Sequence, residues 1–226
     1  FAVISMMTTS TEENYLKAIY HLSSGHTDSV LTSEIAQSMS TTSASVTDMI
    51  KRLSDKNLIE YERYKGVRIT RKGEKLALNI IRRHRLWEVF LTDVLHFRWD
   101  EVHPMAEELE HVSSDELVSR LDAYLGFPRV DPHGDPIPDS NGKLVAAGQQ
   151  LLAEGLIASM YCVSGVNDHS SAFLQFLAKK GLKPGTTFTI LEIDDYDKSM
   201  LIRFNDSSST YISHEISKSI LVRKHE

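Results

Sequence analysis

Apolar positions early in the chain recur at helical spacing and then switch to strict alternation. Residues 10–24, STEENYLKAIYHLSS, open with Ser/Thr ahead of Glu, a cap-like start, and place Tyr15, Ile19 and Leu22 on one face. A short helix is predicted over Thr32–Met39. After the break Ser40-Thr41-Thr42, a third runs over Ser43–Lys56 with Val46, Met49, Ile50 and Leu53 as its buried stripe. LIEYERYKGVRIT then alternates: Ile59, Tyr61 and Arg63 go up one strand, Gly66 turns, and Val67 and Ile69 come back as a hairpin. Helix, helix, turn, helix and two-stranded ribbon is the order of a winged helix-turn-helix.

Helical spacing resumes from Gly73 to about Leu95 through Leu76, Ile80, Trp87, Leu91 and Val94. Pro104 suits the first turn of a helix running to about His111, whose apolar stripe is Met105, Leu109 and Val112, with a Glu/His face opposite. Another helix is predicted over Ser114–Leu125. Residues 128–143, PRVDPHGDPIPDSNGK, hold four of the six prolines and two glycines and read as a linker. After a short helix, Ala172–Lys179, the stretches GLKPGTTFTILEID, KSMLIRFND and STYISHEISKSILVRK alternate as strands and turns, a small SH3-like β-barrel. The expected fold is therefore mainly α, in three domains: 1–73, 74–142 and 144–226. Residues 1–6 read as a tag remnant ahead of a natural start at Met6 or Met7.

The chain has 226 residues, 41% hydrophobic and 25% charged with a net charge of −6, which excludes disorder as the dominant state. Its single cysteine, Cys162, excludes a disulfide framework and a thiolate zinc site, and a reducing cytoplasm is the expected compartment. No apolar run approaches the ~18–20 residues of a membrane span, so no membrane association is expected. Charge is unevenly spread. Residues 46–85 carry 12 basic against 5 acidic side chains, whereas 86–142 carry 3 against 13. That contrast joins a polyanion-binding surface to a cation-binding one.

The basic segment contains the third helix. A recognition helix needs small polar groups where it meets base edges and cations where its flanks pass phosphates. Thr42, Ser43, Ser45, Thr47 and Asp48 supply the first, and Lys51, Arg52 and Lys56 the second. Arg63, Lys65 and Arg68 around Gly66 reach the backbone from the wing. Ser/Thr clusters also serve as plain caps and turns, but helix spacing, wing and charge together point to double-stranded DNA. With no aromatic stacking platform here, single strands are disfavoured.

In the acidic segment, Glu107, Glu110 and His111 share a helix face with His103 one turn earlier, and His84 and Glu88 form an i, i+4 pair on the preceding helix. A solvated acidic face is the plain alternative. Crowded carboxylates nearly bare of lysine and arginine repel one another, however, and a divalent ion removes that cost. Oxygen and nitrogen donors without sulfur suit Mn²⁺ or Fe²⁺.

These residues carry a resemblance. TEENYLKAIYHL at 11–22, SEIAQSM–SVTDMIKRL at 33–53, RRHRLWEVFLTDV at 82–94 and VHPMAEELEHVSSDEL at 102–117, extended by DPHGDPIP at 131–138 and GLKPG at 181–185, resemble the diphtheria toxin repressor and manganese transport regulator family. The resemblance implies a winged-helix repressor that binds palindromic operator DNA as a homodimer and controls metal-uptake genes. Its second domain would bind metal and dimerise, and an SH3-like domain similar to iron-transport accessory domains would follow. By motif, Glu107, Glu110 and His111 match the primary site, completed from the first helix by Asn14, where Met or Asp is usual. His84, Glu88 and His103 match the ancillary site. Glu107, cysteine in the iron-responsive branch, points to Mn²⁺. His133 matches a histidine ligand of some three-domain relatives that carry cysteine where Asp131 stands, and Asp168 and His169 are both candidates for a C-terminal ligand.

Two other functions fit parts of the pattern. Glu108-Leu-Glu-His111 satisfies the E-x-x-H of a di-metal carboxylate oxidase, but such enzymes need two of these motifs on four long helices. A metal-independent DNA-binding adaptor would use the acidic domain for dimerisation alone.

Overall fold

A computed structural model describes residues 8–23, 29–112, 114–145 and 148–225; the expected tag remnant lies outside them. Contacts gather into two compact units, one from segments 1–84, 107–120 and 138–143, the other from 85–106, 121–137 and 144–226.

The first unit begins with α1 (Ser10–Leu22), opened by a capping box in which Thr9 and Glu12 satisfy each other's backbone N–H groups. Its buried face is Tyr15, Leu16 and Ile19; Leu22, expected inside, is 37% exposed on the last turn. α2 (Thr32–Ser38) and α3 (Ser43–Asp55) follow, and α3 buries Val46, Met49, Ile50 and Leu53, the four residues its periodicity indicates. Strands β1 (Ile59–Glu62) and β2 (Gly66–Ile69) form the wing, with Tyr61 opposite Val67. Arg63 belongs to the tip and not to the strand, and the reversal comes at Tyr64 (φ 68°), ahead of Gly66. Gly66 is needed for another reason. At φ +96°, a Cβ there would lie 2.5 Å from the Val30 carbonyl, and Val30 pairs with Val67 through two backbone hydrogen bonds. The core joins Leu16, Ile19, Ile35, Ile50, Leu53 and Val67, each fully or almost fully buried. Each such side chain stabilises by roughly 1.5–3 kcal/mol.

α4 (Arg71–Val89) widens into a π turn over Phe90–Val94; α5 (Val102–Leu109) and α6 (Asp115–Tyr124) follow. On α5 the expected stripe is not the buried one. Met105 and Leu109 are half-buried and Val112 is exposed, while Val102, Ala106 and Glu110 are buried. The segment expected to be a linker carries buried side chains, Asp131, His133 and Ile137. Gly134 (φ +91°) permits this, because a Cβ would fall 2.1 Å from the Ser164 carbonyl.

The second unit contains a six-stranded antiparallel sheet in the order β3-β8-β4-β5-β6-β7. Its strands are β3 (Gln150–Leu151), β4 (Met160–Val166), β5 (Thr187–Ile193), β6 (Met200–Phe204), β7 (Ser209–Ile212) and β8 (Ile220–Lys224). Bulges at Val163/Gly165 and Ile190/Glu192 bend it in the SH3-like manner. Helices α7 (Ser171–Lys179) and α8 (His214–Ser217) complete it around a core of Tyr161, Phe188, Ile190, Ile202 and Val222. Among the described residues no helix is long and apolar enough to cross a membrane.

Candidate metal centre

Glu110 lies just beyond α5 with no exposed surface, so its charge must be compensated by protein. His84, on α4, places Nδ1 2.7 Å from Glu110 Oε2. Lys17, on α1, donates from Nζ to Glu110 Oε1 (2.7 Å) and Oε2 (2.8 Å) and to Glu107 Oε1 (2.7 Å). Burial alone would raise the Glu110 pKa; His84 and Lys17 overcome that and hold it below the ordinary carboxylate range. His84, Glu107 and Glu110 each offer one donor atom within 4.8 Å of the others.

The next layer is also charged. Glu13, buried on α1, accepts from Arg83 Nη2 (3.1 Å) and lies 2.8 Å from His111 Nδ1. His111 Nε2 is 3.8 Å from Glu110 Oε1. Asn14 Oδ1 is buried without a hydrogen-bond partner. An orphaned amide oxygen inside protein is costly, and a cation is a partner that would satisfy it. The oxygen and nitrogen donors suit Mn²⁺ or Fe²⁺, so the residues fit the implied metal.

A second cluster lies in the other unit. Glu88, Asp131 and His133, all buried, each offer one donor within 4.8 Å of the others. His133 Nε2 is 2.7 Å from the Trp99 carbonyl, an acceptor only, so that nitrogen carries the proton and Nδ1 faces Glu88 Oε2 at 3.6 Å. A histidine held through one nitrogen by a carbonyl, with the other turned to carboxylates, is the usual support of a metal ligand. Asp131 Oδ1 accepts from the backbone N–H groups of His133 (2.8 Å) and Asp135 (3.0 Å). Burial, then the charges of Glu88 and Asp135, push Asp131 up to about 7. Burial lowers the His133 pKa, but Glu88 and Asp131 outweigh it and the net shift is upward. His103 is half exposed with Nδ1 3.3 Å from Glu88 Oε1. His169 Nε2 lies 3.8 Å from Asp135 Oδ2; Asp168 instead accepts from Ser170 N at 2.8 Å, just ahead of α7, which Ser170 itself caps.

Sequence reasoning therefore named Glu107, Glu110, His84, Glu88 and His133, but missed Lys17, Glu13, Arg83 and the ligand-like placement of Asp131. The i, i+3 spacing of Asn14 and Lys17 was the one available signal for Lys17.

On α3, Thr42, Ser43, Ser45, Thr47, Asp48, Lys51 and Arg52 are all exposed, as are Arg63, Lys65 and Arg68 on the wing. Part of this polar set is structural. Thr42 Oγ1 caps the helix by accepting from Ser45 N (3.3 Å), and Thr47 Oγ1 donates to the Ser43 carbonyl (2.8 Å). Asp48 pairs with Lys51 at 3.7 Å and Lys65 with Glu62 at 2.6 Å. Arg63 lies over the Tyr64 ring, 4.9 Å from its centroid. Lys56, expected on the phosphate flank, instead grips Glu12 at 2.6 and 2.7 Å.

Residues 7–67 match the N-terminal DNA binding domain of the iron dependent repressors. Residues 70–139 match the metal binding and dimerisation domain of the same family, and 152–224 match the FeoA domain. The chain is 36% identical over 129 residues to the iron-dependent repressor IdeR of Mycobacterium bovis; the match covers 57% of this chain and 55% of that protein, about half its length. Among solved structures it is similar to a manganese-dependent transcriptional repressor in complex with manganese, at TM-score 0.82 and 30% identity over 95% of this chain and all of that one. It is also similar to the manganese regulator SloR, at TM-score 0.72 and 32% identity, covering 96% of this chain and 100% of SloR.

Proposed function

The chain belongs to the iron-dependent repressor family of metal-dependent transcriptional regulators, and from that premise we propose that it represses metal-uptake genes by binding palindromic operator DNA as a homodimer when loaded with Mn²⁺ or Fe²⁺. The observation that carries this reading is the convergence of Glu107, Glu110 and His84 near α1, which itself offers the unpartnered Asn14 oxygen. A bound ion would supply a cationic junction there. Asn14 on α1 and Glu107 and Glu110 around α5 would hold it, with His111 kept close by Glu13. Fixing α1 fixes α3, because the two helices share one core. Two recognition helices locked in a dimer would then meet DNA about one turn, roughly 34 Å, apart. Metal and DNA binding are thereby coupled, and the coupling is reciprocal.

Manganese is favoured over iron by Glu107, which places a hard oxygen where a thiolate would select softer ions. Glu88, Asp131 and His133, with His103 on Glu88, would hold a second ion whose role is to order the second unit. The reading of metal-independent DNA binding draws on Lys17, which already pairs with both glutamates.

One experiment separates these readings. Duplexes selected from a random library in the presence of Mn²⁺ are used in gel shifts with Mn²⁺, with Fe²⁺ under anaerobic conditions, and with a chelator. We expect an inverted repeat bound only with metal, by a species that light scattering sizes as a dimer. Binding that ignores the chelator overturns the metal-dependent reading.

A further inference from the structure

We propose that Lys17 is a tethered competing cation that sets the threshold of the metal centre, so that metal enters by exchange with an ammonium group and not by addition to open ligands. The inference rests on the reading of Glu107 and Glu110 as metal ligands and assigns a role to a residue which that reading leaves unused.

The geometry carries it. An ammonium group has three N–H donors. The three carboxylate oxygens Lys17 Nζ meets at 2.7–2.8 Å all belong to the two glutamates that a metal would use. A divalent ion holds carboxylate oxygens at roughly 2.0–2.2 Å, inside the sphere that Nζ fills. Nζ and the ion therefore exclude each other by volume and by charge. The lysine side chain is 14% exposed, so its four-carbon stem has a route to solvent once displaced.

Lys17 and Asn14 are one turn apart on α1 and share a face, and they play complementary parts. Lys17 holds the two glutamates through three charge-assisted hydrogen bonds; the Asn14 oxygen holds nothing. Loading metal breaks the first set and satisfies the second. α1 thus stays fastened to the 107–110 segment throughout, but on a different rung. The cost of releasing the ammonium is the same for every ion, so Lys17 moves the threshold for all of them together and leaves their order of preference alone.

The test uses the full chain, stripped with chelator and dialysed, with Mn²⁺ and Zn²⁺ titrated calorimetrically into the wild type, Lys17→Met and Lys17→Arg. Lys17→Met keeps the stem and removes the charge. It should bind both ions tighter by a similar factor, about tenfold or more, given the strength of charge-assisted bonds in a site this buried. The stripped Met variant should also melt at lower temperature than stripped wild type, because Glu107 and Glu110 lose their counter-charge. Lys17→Arg keeps the charge and should stay within about threefold of wild type. Should the Met variant not fold, Lys17→Gln replaces it. Unchanged or weakened metal affinity in Lys17→Met overturns the proposal, and so does an equal gain in Lys17→Arg, which would trace the effect to packing. If wild type binds no Mn²⁺ and Glu110→Gln makes no difference, the metal reading itself has failed, a result distinct from a wild type that binds and a Lys17→Met that binds no better.

Discussion

His84 Nδ1 and Glu110 Oε2 lie 2.7 Å apart, the imidazole on α4 and the carboxylate on a residue with no exposed surface. The pair makes Glu110 a structural residue as well as a ligand candidate. Glu110→Ala leaves Lys17 and His84 facing a cavity and should destabilise the stripped protein by on the order of 3 kcal/mol. Glu110→Gln preserves volume and one acceptor and should lose much less stability while abolishing metal-dependent DNA binding. His84→Ala should weaken metal response about as severely as Glu110→Gln, because His84 sits with the two glutamates. Denaturant melts with matched gel shifts check all three, and a Glu110→Ala protein as stable as wild type would contradict the burial argument.

Asn14 offers the opposite combination. Its Oδ1 is buried and unpartnered, so Asn14→Ala relieves an unsatisfied acceptor and improves helix propensity. The stripped variant should melt no lower than wild type, yet the metal concentration needed for DNA binding should rise. Asn14→Asp adds a charged ligand and should lower that concentration, or lock the repressor on. Thermal melts and metal-titrated gel shifts read both, and an Asn14→Asp protein with unaltered metal affinity would remove Asn14 from the centre.

The contrast between α3 and α5 explains how much could be read from the chain. On α3 every buried position is apolar, so Val46, Met49, Ile50 and Leu53 announce themselves by spacing. Around α5 one of the buried positions is Glu110, just past its last turn, which periodicity assigns to the solvent face, while Met105 and Leu109 are only half-buried. Glu110 can be buried because Lys17, 93 residues away, and His84, 26 residues away, neutralise it. Such through-space pairing has no local signature. The same limit hid Asp131, whose environment is made by Glu88 and Arg85 from α4. β4 was missed for a different reason: Cys162, Ser164 and Gly165 dilute the β-branched signal that marks strands such as β5 and β6.

Within the second unit, Asp100 ties the loop before α5 to α7. Its Oδ2 accepts from Gln175 Nε2 at 2.9 Å and from Arg98 Nη2 at 2.7 Å. Burial opposes its charge, but Gln175 and Arg98 prevail and hold the carboxyl below its ordinary range. With a depressed pKa, the native state gives up its proton more readily than the unfolded chain. The resulting stability is present above the unfolded value, about 4, and is lost as pH falls through the lower native one. Arg98 is largely exposed, so the contribution is modest, about 1 kcal/mol. Asp100→Asn should therefore melt below wild type by a constant margin from about pH 8 to about pH 5, and the gap should close below about pH 4. A gap that widens in acid would reverse the assignment.

Arg52 and Lys56 lie one turn apart near the end of α3, and the structure gives them different surroundings. Arg52 is exposed on the face proposed to meet DNA, whereas Lys56 Nζ is held by both oxygens of Glu12, a carboxylate that is itself buried. On that proposal, Arg52→Ala removes a phosphate contact. Operator affinity should fall, the slope of log affinity against log salt should flatten by about one, and stability should hardly change. Lys56→Ala removes the counter-charge of a buried group that keeps its cap bond to Thr9 N at 2.7 Å. Stability should fall by roughly 1–3 kcal/mol while the salt slope stays where it was. Salt-dependent anisotropy on the selected duplex, run beside urea melts, gives a two-by-two outcome. The assignment holds if the slope follows Arg52 and the melt follows Lys56. A Lys56→Ala protein that is fully stable but has a flattened slope would put Lys56 on the phosphate backbone and would mean that the Glu12 pairing gives way when DNA binds.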